Sequence, residues 1–271
     1  MQQTACYDFA MPNIDHHAPG TFSWIELATS DAAAAKNFYS SLFGWQPADM
    51  PMGNDEVYTL FKLEGRDAAA GFALNEMMKQ NNVPPHWGLY IATANADETA
   101  AKAAELGAQI IAPPFDVFDF GRMAVIKDPS GAVFSIWQAK KSTGIGIKGV
   151  PGTLCWADLS IPDQAGADFY RKLFGWEIAS SPDDNSGYLH IKNGEEFIGG
   201  VPPAQYRNPS APPHWMSYFL VTDEEASVAK IKELGGVVYM GPIEMGDVGK
   251  WAVAADPQGA VFALFEPGKK Q

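Results

Sequence analysis

Residues 22–28 alternate: Ile25 and Leu27 fall on one side, Trp24, Glu26 and Ala28 on the other, the period of two expected of a half-buried strand. The period then changes. Asp31 is followed by Ala35, Phe38, Tyr39 and Leu42 at helical spacing, with Asp31 in place to cap the helix and Gly44 to end it. Strand-like runs follow at 56–63 and 68–74, and the order starts again: a strand at 86–92, a helix from Asn95 to Leu106 closed by Gly107, and strands at 122–127 and 132–137 around the turn Asp128-Pro129-Ser130-Gly131.

The whole pattern occurs twice. Pro19-Gly20-Thr21 and Trp24 return as Pro151-Gly152-Thr153 and Trp156, and Phe38-Tyr39 and Phe43-Gly44-Trp45 return as Phe169-Tyr170 and Phe174-Gly175-Trp176. Pro84-Pro85-His86-Trp87 returns as Pro212-Pro213-His214-Trp215, and Asp128-Pro129 with Gly131 as Asp256-Pro257 with Gly259. Ordered self-similarity of this kind predicts a tandem duplication. An arm over 1–18, a first copy over 19–140, a Lys/Gly-rich linker over 141–149, a second copy over 150–267 and a tail over 268–271 are expected. Helices of the second copy open near Asp163 and Asp223. The fold class is α+β, with four βαβββ modules.

Composition narrows the role. Hydrophobic residues make up 46% and charged residues 19%, and 32 acidic against 19 basic residues give a formal charge of −13. A field of that sign repels phosphate backbones and anionic lipid, so neither nucleic acid nor membrane is expected as a partner. Cys6 and Cys155 are too few for a disulfide framework, and the first twenty residues lack a cationic region followed by an apolar one. A cytoplasmic protein with reduced thiols is expected, binding a small molecule, as monomer or homodimer.

Four βαβββ units with Asp31, Phe38-Tyr39, Phe43-Gly44-Trp45 and Asp128-Pro129-Ser130-Gly131, repeated from Asp163 to Gly259, resemble the vicinal oxygen chelate superfamily, the group of glyoxalases, bleomycin-resistance proteins and dioxygenases. The two-domain glyoxalase-like, hydroxylase-like subgroup is the nearest likeness. The resemblance implies two curled-sheet cups with helices on their convex faces. Strand parity then turns Trp24, Glu26, His86, Tyr90, Ser135 and Trp137 into the first cup, and Trp156, Asp158, His214, Met216, Tyr218 and Phe265 into the second.

Metal-using relatives take His, Gln or Glu from the first and last strands of each unit. Here those stations read Trp24, Gly88 and Ser135 in one copy and Trp156, Met216 and Ala263 in the other, so no metal and no cofactor is expected. The residual alternative is a divalent ion at Glu26 with His86, or at Asp158 with His214.

Glu26 and Asp158 hold equivalent places in otherwise apolar strands. Each is either a general acid or base of raised pKa or a carboxylate tied to the sheet wall. His86 and His214 either pair with those acids or cap strand edges. Trp24, Tyr90, Trp137, Trp156, Tyr218 and Phe265, with Ser135 and Met216, would line the cups against a flat or apolar ligand, or else fill them as core. Arg122 and Lys250 meet an anionic ligand group or carry surface charge. Two functions stand: a glyoxalase-like enzyme of lyase or hydroxylase type on a small carbonyl or aromatic compound, and a binder that sequesters such a molecule.

Overall fold

The computed structural model describes residues 13–53, 56–181 and 185–268. The first copy contains β1 (Phe22–Thr29), α1 (Ala32–Phe43), β2 (Gln46–Gly53), β3 (Glu56–Leu63), β4 (Arg66–Ala73), α2 (Glu76–Gln80), β5 (His86–Ala92), α3 (Ala96–Glu105), β6 (Gln109–Val117), β7 (Gly121–Lys127) and β8 (Val133–Ala139). The second contains β9 (Leu154–Ser160), α4 (Asp168–Phe174), β10 (Glu177–Ala179), β11 (Leu189–Asn193), β12 (Glu196–Val201), β13 (His214–Leu220), α5 (Glu224–Glu233), β14 (Val237–Glu244), β15 (Gly249–Ala255) and β16 (Val261–Pro267).

Each copy is one eight-stranded mixed sheet. The orders are β2-β3-β4-β1-β5-β8-β7-β6 and β10-β11-β12-β9-β13-β16-β15-β14, the same topology twice. The opening strands of the two modules lie side by side at the centre, antiparallel, while β1–β4 and β5–β8 pair parallel across their helical crossovers. The tandem α+β duplication of βαβββ modules is thus what the chain forms.

Helix starts follow the capping residues. The Asp31 side chain accepts the Ala34 N–H, Asn95 accepts those of Asp97 and Glu98, and Asp223 accepts that of Ala226. Gly44 and Gly175 end α1 and α4 in the left-handed region at φ 73° and 75°, which glycine enters without strain. Asp163 opens a 3-10 turn over Gln164–Ala167 rather than an α-helix, and α4 begins only after it. Gly166 lies in that turn, where helix propensity is weakest.

The two sheets are back to back and share one core. Trp87 of β5 meets Phe219 of β13 edge-on at 5.3 Å, and Phe43 at the end of α1 lies 4.9 Å from the same ring. The repeated motifs cross between copies. Trp87 Nε1 donates to Tyr39 Oη, which donates to Asp256 Oδ2; Trp215 Nε1 donates to Tyr170 Oη, which donates to Asp128 Oδ2, every link being 2.9–3.0 Å. Trp45 Nε1 reaches Gly152 O at 2.8 Å and Trp176 Nε1 reaches Gly20 O at 2.9 Å. Within the segment read as a linker, Ile145 and Ile147 are buried, and the Ile145 N–H donates to Ser23 O of β1.

Candidate functional site

The floor of each cup is made where its two central strands meet. In the first, register sets Glu26 opposite Gly88 and Trp24 opposite Tyr90, with Ala70 of β4 on the other side of Glu26. Tyr90 sits beside Ser135 of β8. The Glu26 carboxyl is gripped by two phenols: Tyr90 donates to Oε1 in a short hydrogen bond, and Tyr58 of β3 donates to Oε2 at 2.9 Å. Trp24 Nε1 donates to Tyr58 Oη at 3.0 Å, so indole, phenol and carboxyl form a chain.

The second copy repeats the constellation. Asp158 lies opposite Met216 and beside Gly200, with Trp156 opposite Tyr218. Tyr188 donates to Asp158 Oδ1, Tyr218 to Oδ2 at 2.8 Å, and Trp156 Nε1 reaches both Asp158 Oδ1 at 3.0 Å and Tyr188 Oη at 2.8 Å.

Desolvation dominates the electrostatics. Burial pushes both carboxyls above their ordinary range, against the pull of the phenol hydrogen bonds, which favour the charged form. Burial and the adjacent carboxyl hold Tyr58, Tyr90 and Tyr188 well above the ordinary phenol range, so these rings stay protonated donors. A carboxyl with raised proton affinity, steadied by neutral donors, is equipped to take up and return a proton.

The walls above are apolar. Met52, Met77, Phe115, Phe118 and Val133 line the first cup and face its open space, with Met77 67% and Phe118 65% exposed. Trp137 and Met123 complete the wall beside Tyr90. In the second cup, Phe197, Tyr206, Tyr239, Ile243 and Trp251 play the same part, with Phe265 deeper in.

Of the residues singled out from sequence, Trp24, Glu26, Tyr90, Ser135 and Trp137 come together in the first cup, and Trp156, Asp158, Met216, Tyr218 and Phe265 in the second. His86 and His214 stand on the rims. Their Nδ1 atoms bond the carbonyls of Pro84 and Pro212 at 2.8 Å, whereas the carboxyls are bonded to the tyrosines. Arg122 and Lys250 are not brought to the cups: Arg122 pairs with Asp97 of α3 and with Asp116, and Lys250 with Glu225 of α5. Simple alternation from Trp156 would turn Cys155 to the helix side. A register shift at this point breaks the alternation, and Cys155 is half-buried at the cavity wall with its thiol on Tyr218 O.

Sequence reasoning missed Tyr58 and Tyr188, the second phenol of each pair. The signal existed: both precede a Lys four positions on, Lys62 and Lys192, and so occupy one place in the repeat. Three carboxylates at the start of α5, Asp223, Glu225 and Glu266, have oxygens within 4.8 Å of one another, the one such group among the described residues. They lie outside the cups, and Glu225 is already paired with Lys250.

Fold and site together define a tandem α+β protein of four βαβββ modules with an aromatic-lined cup in each copy. The chain belongs to the glyoxalase/bleomycin resistance protein/dioxygenase superfamily. The model of that superfamily matches residues 21–136 and a glyoxalase-like domain model matches residues 161–265. CFP32, a candidate glyoxylase of Mycobacterium tuberculosis (strain CDC 1551 / Oshkosh), is 38% identical over 271 residues, covering 96% of this chain and 100% of that one. The anthracycline biosynthesis protein DnrV of Streptomyces peucetius is 33% identical over 266 residues, with 92% of this chain and 94% of that one covered. Among solved structures, the Mn(II)-bound glyoxalase from Novosphingobium aromaticivorans superposes with a TM-score of 0.64 at 15% identity, covering 94% of this chain and 83% of that one. The 2,3-dioxygenase LapB from Pseudomonas sp. KL28 gives 0.60 at 17%, with 96% and 94% covered. At these identities the likeness to solved structures is one of fold. No helix among the described residues is long and apolar enough to cross a membrane.

Proposed function

We propose that the chain is a glyoxalase-like enzyme of proton transfer, isomerising a flat, largely apolar carbonyl compound held in an aromatic cup. The two copies, 19–140 and 150–267, each supply one cup. The observation that carries the reading is the carboxyl on the cup floor, gripped by two phenols beneath apolar walls in both copies. Ionised Glu26 takes a proton from carbon next to a carbonyl, and the resulting carboxylic acid returns it at a second position. No oxidant is consumed and the atoms balance. Trp24 and the tyrosines hold the carboxyl in place, and the walls exclude water, which strengthens every charge interaction inside. The kinship with a protein of anthracycline biosynthesis supports a polycyclic aromatic ketone or quinone as substrate class.

The donor set does not fit a divalent ion. Such an ion needs several carboxylate or imidazole ligands converging on one point. Around Glu26 stand an indole N–H, two phenol O–H groups, a glycine and an alanine, and the rim imidazole of His86 is bonded elsewhere. No step is derived through a metal.

A panel of aromatic ketones and quinones, screened by quenching of tryptophan fluorescence and then for turnover, tests the reading. Glu26→Gln is expected to lower kcat by about 100-fold or more while affinity stays within a few-fold. In the unmodified chain, the rate should rise with pH through a pKa above the ordinary carboxylate value, because the ionised form is the base. Full turnover in Glu26→Gln, or activity abolished by a chelator and restored by stoichiometric metal, would defeat it. A second reading, sequestration without turnover, draws on the exposed apolar walls of the cups, and quenching with no turnover across the panel would favour it.

A further inference from the structure

We infer that the two cups are not equivalent: the chemistry belongs to the first alone, and the residue facing the carboxyl across the central strand pair, Gly88 against Met216, decides this. The inference rests on the proton-transfer reading above.

Register makes the comparison direct. Gly88 stands opposite Glu26 and Met216 opposite Asp158, on the concave face in both copies. A Cβ added at Gly88 would lie 3.9 Å from Glu26 Cγ and 3.6 Å from Glu26 O, so the hydrogen of Gly88 leaves an opening directly above the carboxyl. In the second copy a thioether side chain grows from that point. Exposure follows: Glu26 is half-buried, whereas Asp158 is 6% exposed.

Asp158 is also closed from below. Its Oδ1 accepts from both Tyr188 and Trp156, and Oδ2 from Tyr218. Glu26 accepts one hydrogen bond per oxygen, leaving each a free lone pair for a substrate proton. The space beside Asp158 is filled as well, since a Cβ at Gly200 would fall 2.0 Å from Tyr188 Oη. Finally, Ser135 stands beside Tyr90 in register, while Ala263 occupies the matching position beside Tyr218. The first floor therefore has a carboxyl faced by a glycine and accepting one hydrogen bond per oxygen. The second has a carboxyl that accepts three hydrogen bonds, with Met216 facing it and Tyr188 packed beside it.

The test reads accessibility without any substrate. The full-length chain is treated with a water-soluble carbodiimide and glycine ethyl ester, which converts accessible protonated carboxyls to amides, and peptides are mapped by mass spectrometry. Glu26 is expected to be labelled about tenfold faster than Asp158. Gly88→Met, which the local space accommodates, should slow labelling of Glu26 by about tenfold, and Met216→Gly should speed that of Asp158 by a similar factor. Equal labelling of the two acids in the unmodified chain, or rates indifferent to both substitutions, would overturn the inference. The two ideas fail separately: selective labelling of Glu26 together with full turnover in Glu26→Gln keeps the asymmetry and discards the proton-transfer reading. Turnover lost in Asp158→Asn, with correct folding and unaltered labelling of Glu26, discards the assignment of the chemistry to the first cup.

Discussion

Asp158 is one methylene shorter than Glu26, and the difference is made up from the other side. Gly200 stands where the first copy has Ala70, and the Tyr188 hydroxyl occupies the room that a methyl group would need. Gly200→Ala should therefore push Tyr188 off Asp158 and leave a buried carboxyl short of a donor, at a cost of about 1–3 kcal/mol, whereas Ala70→Gly should cost under about 1 kcal/mol. Thermal unfolding of the two variants checks this, and equal effects would contradict the pairing of short acid with close phenol. At this scale much of the site was legible: period-two parity put Trp24, Glu26 and Tyr90 on one face, and the family resemblance made that face the concave one. The phenols of Tyr58 and Tyr188 were not, because β3 and β11, which Tyr188 immediately precedes, lie two strands from the carboxyls and only three-dimensional curvature brings them over. The rim histidines misled in a different way. Parity gives their face but not their distance along the strand, and the carbonyls two residues earlier take their ring nitrogens.

The elements that the hydrophobic pattern failed to signal are the sheet edges. β2 and β6 carry Pro47, Pro51, Pro113 and Pro114, and they border a sheet on one side only, so they show neither a buried run nor clean alternation. The central strands and capped helices, which bury a face, were legible within a residue or two. Helix α5 holds a conflict that its counterpart avoids. Glu224, just after the capping Asp223, is 0% exposed with both carboxylate oxygens unbonded, and burial beside Glu266 and Glu225 pushes its pKa up to about 7. The first copy has Ala96 there, its N–H donating to Gln138 as that of Glu224 does to Glu266. With the folded-state pKa above that of the unfolded chain, the native state is favoured at low pH, and that advantage is lost as pH rises from the ordinary glutamate range through about 7. Glu224→Ala should accordingly stabilise the chain by about 1–3 kcal/mol at pH near 8 and by much less near pH 4. Chemical denaturation at the two pH values measures it; a benefit independent of pH would show that the charge is not the cause.

Across the whole molecule, the strongest repeat motifs prove to be contacts between copies rather than within them. Tyr39 of one copy ends on Asp256 of the other, Tyr170 on Asp128, and Trp45 and Trp176 each bond a glycine carbonyl across the divide. A double-mutant cycle on Tyr39→Phe and Asp256→Ala is expected to show non-additivity of about 1 kcal/mol or more, since either change leaves a buried partner unsatisfied. Strict additivity in thermal or denaturant unfolding would mean that this hydrogen bond does not couple the two copies. The sequence marked these residues by their recurrence without revealing their partners, because a repeat is equally visible whether its motifs face inward or across. The reciprocity has an evolutionary reading. Residue i of one half touching residue j of the other, and the converse, is what two identical chains make about a dyad. A homodimer must change both of its halves with every mutation. Fusion into one polypeptide lifts that constraint, so Gly88 and Met216 were free to part company while the clasp behind them stayed symmetric.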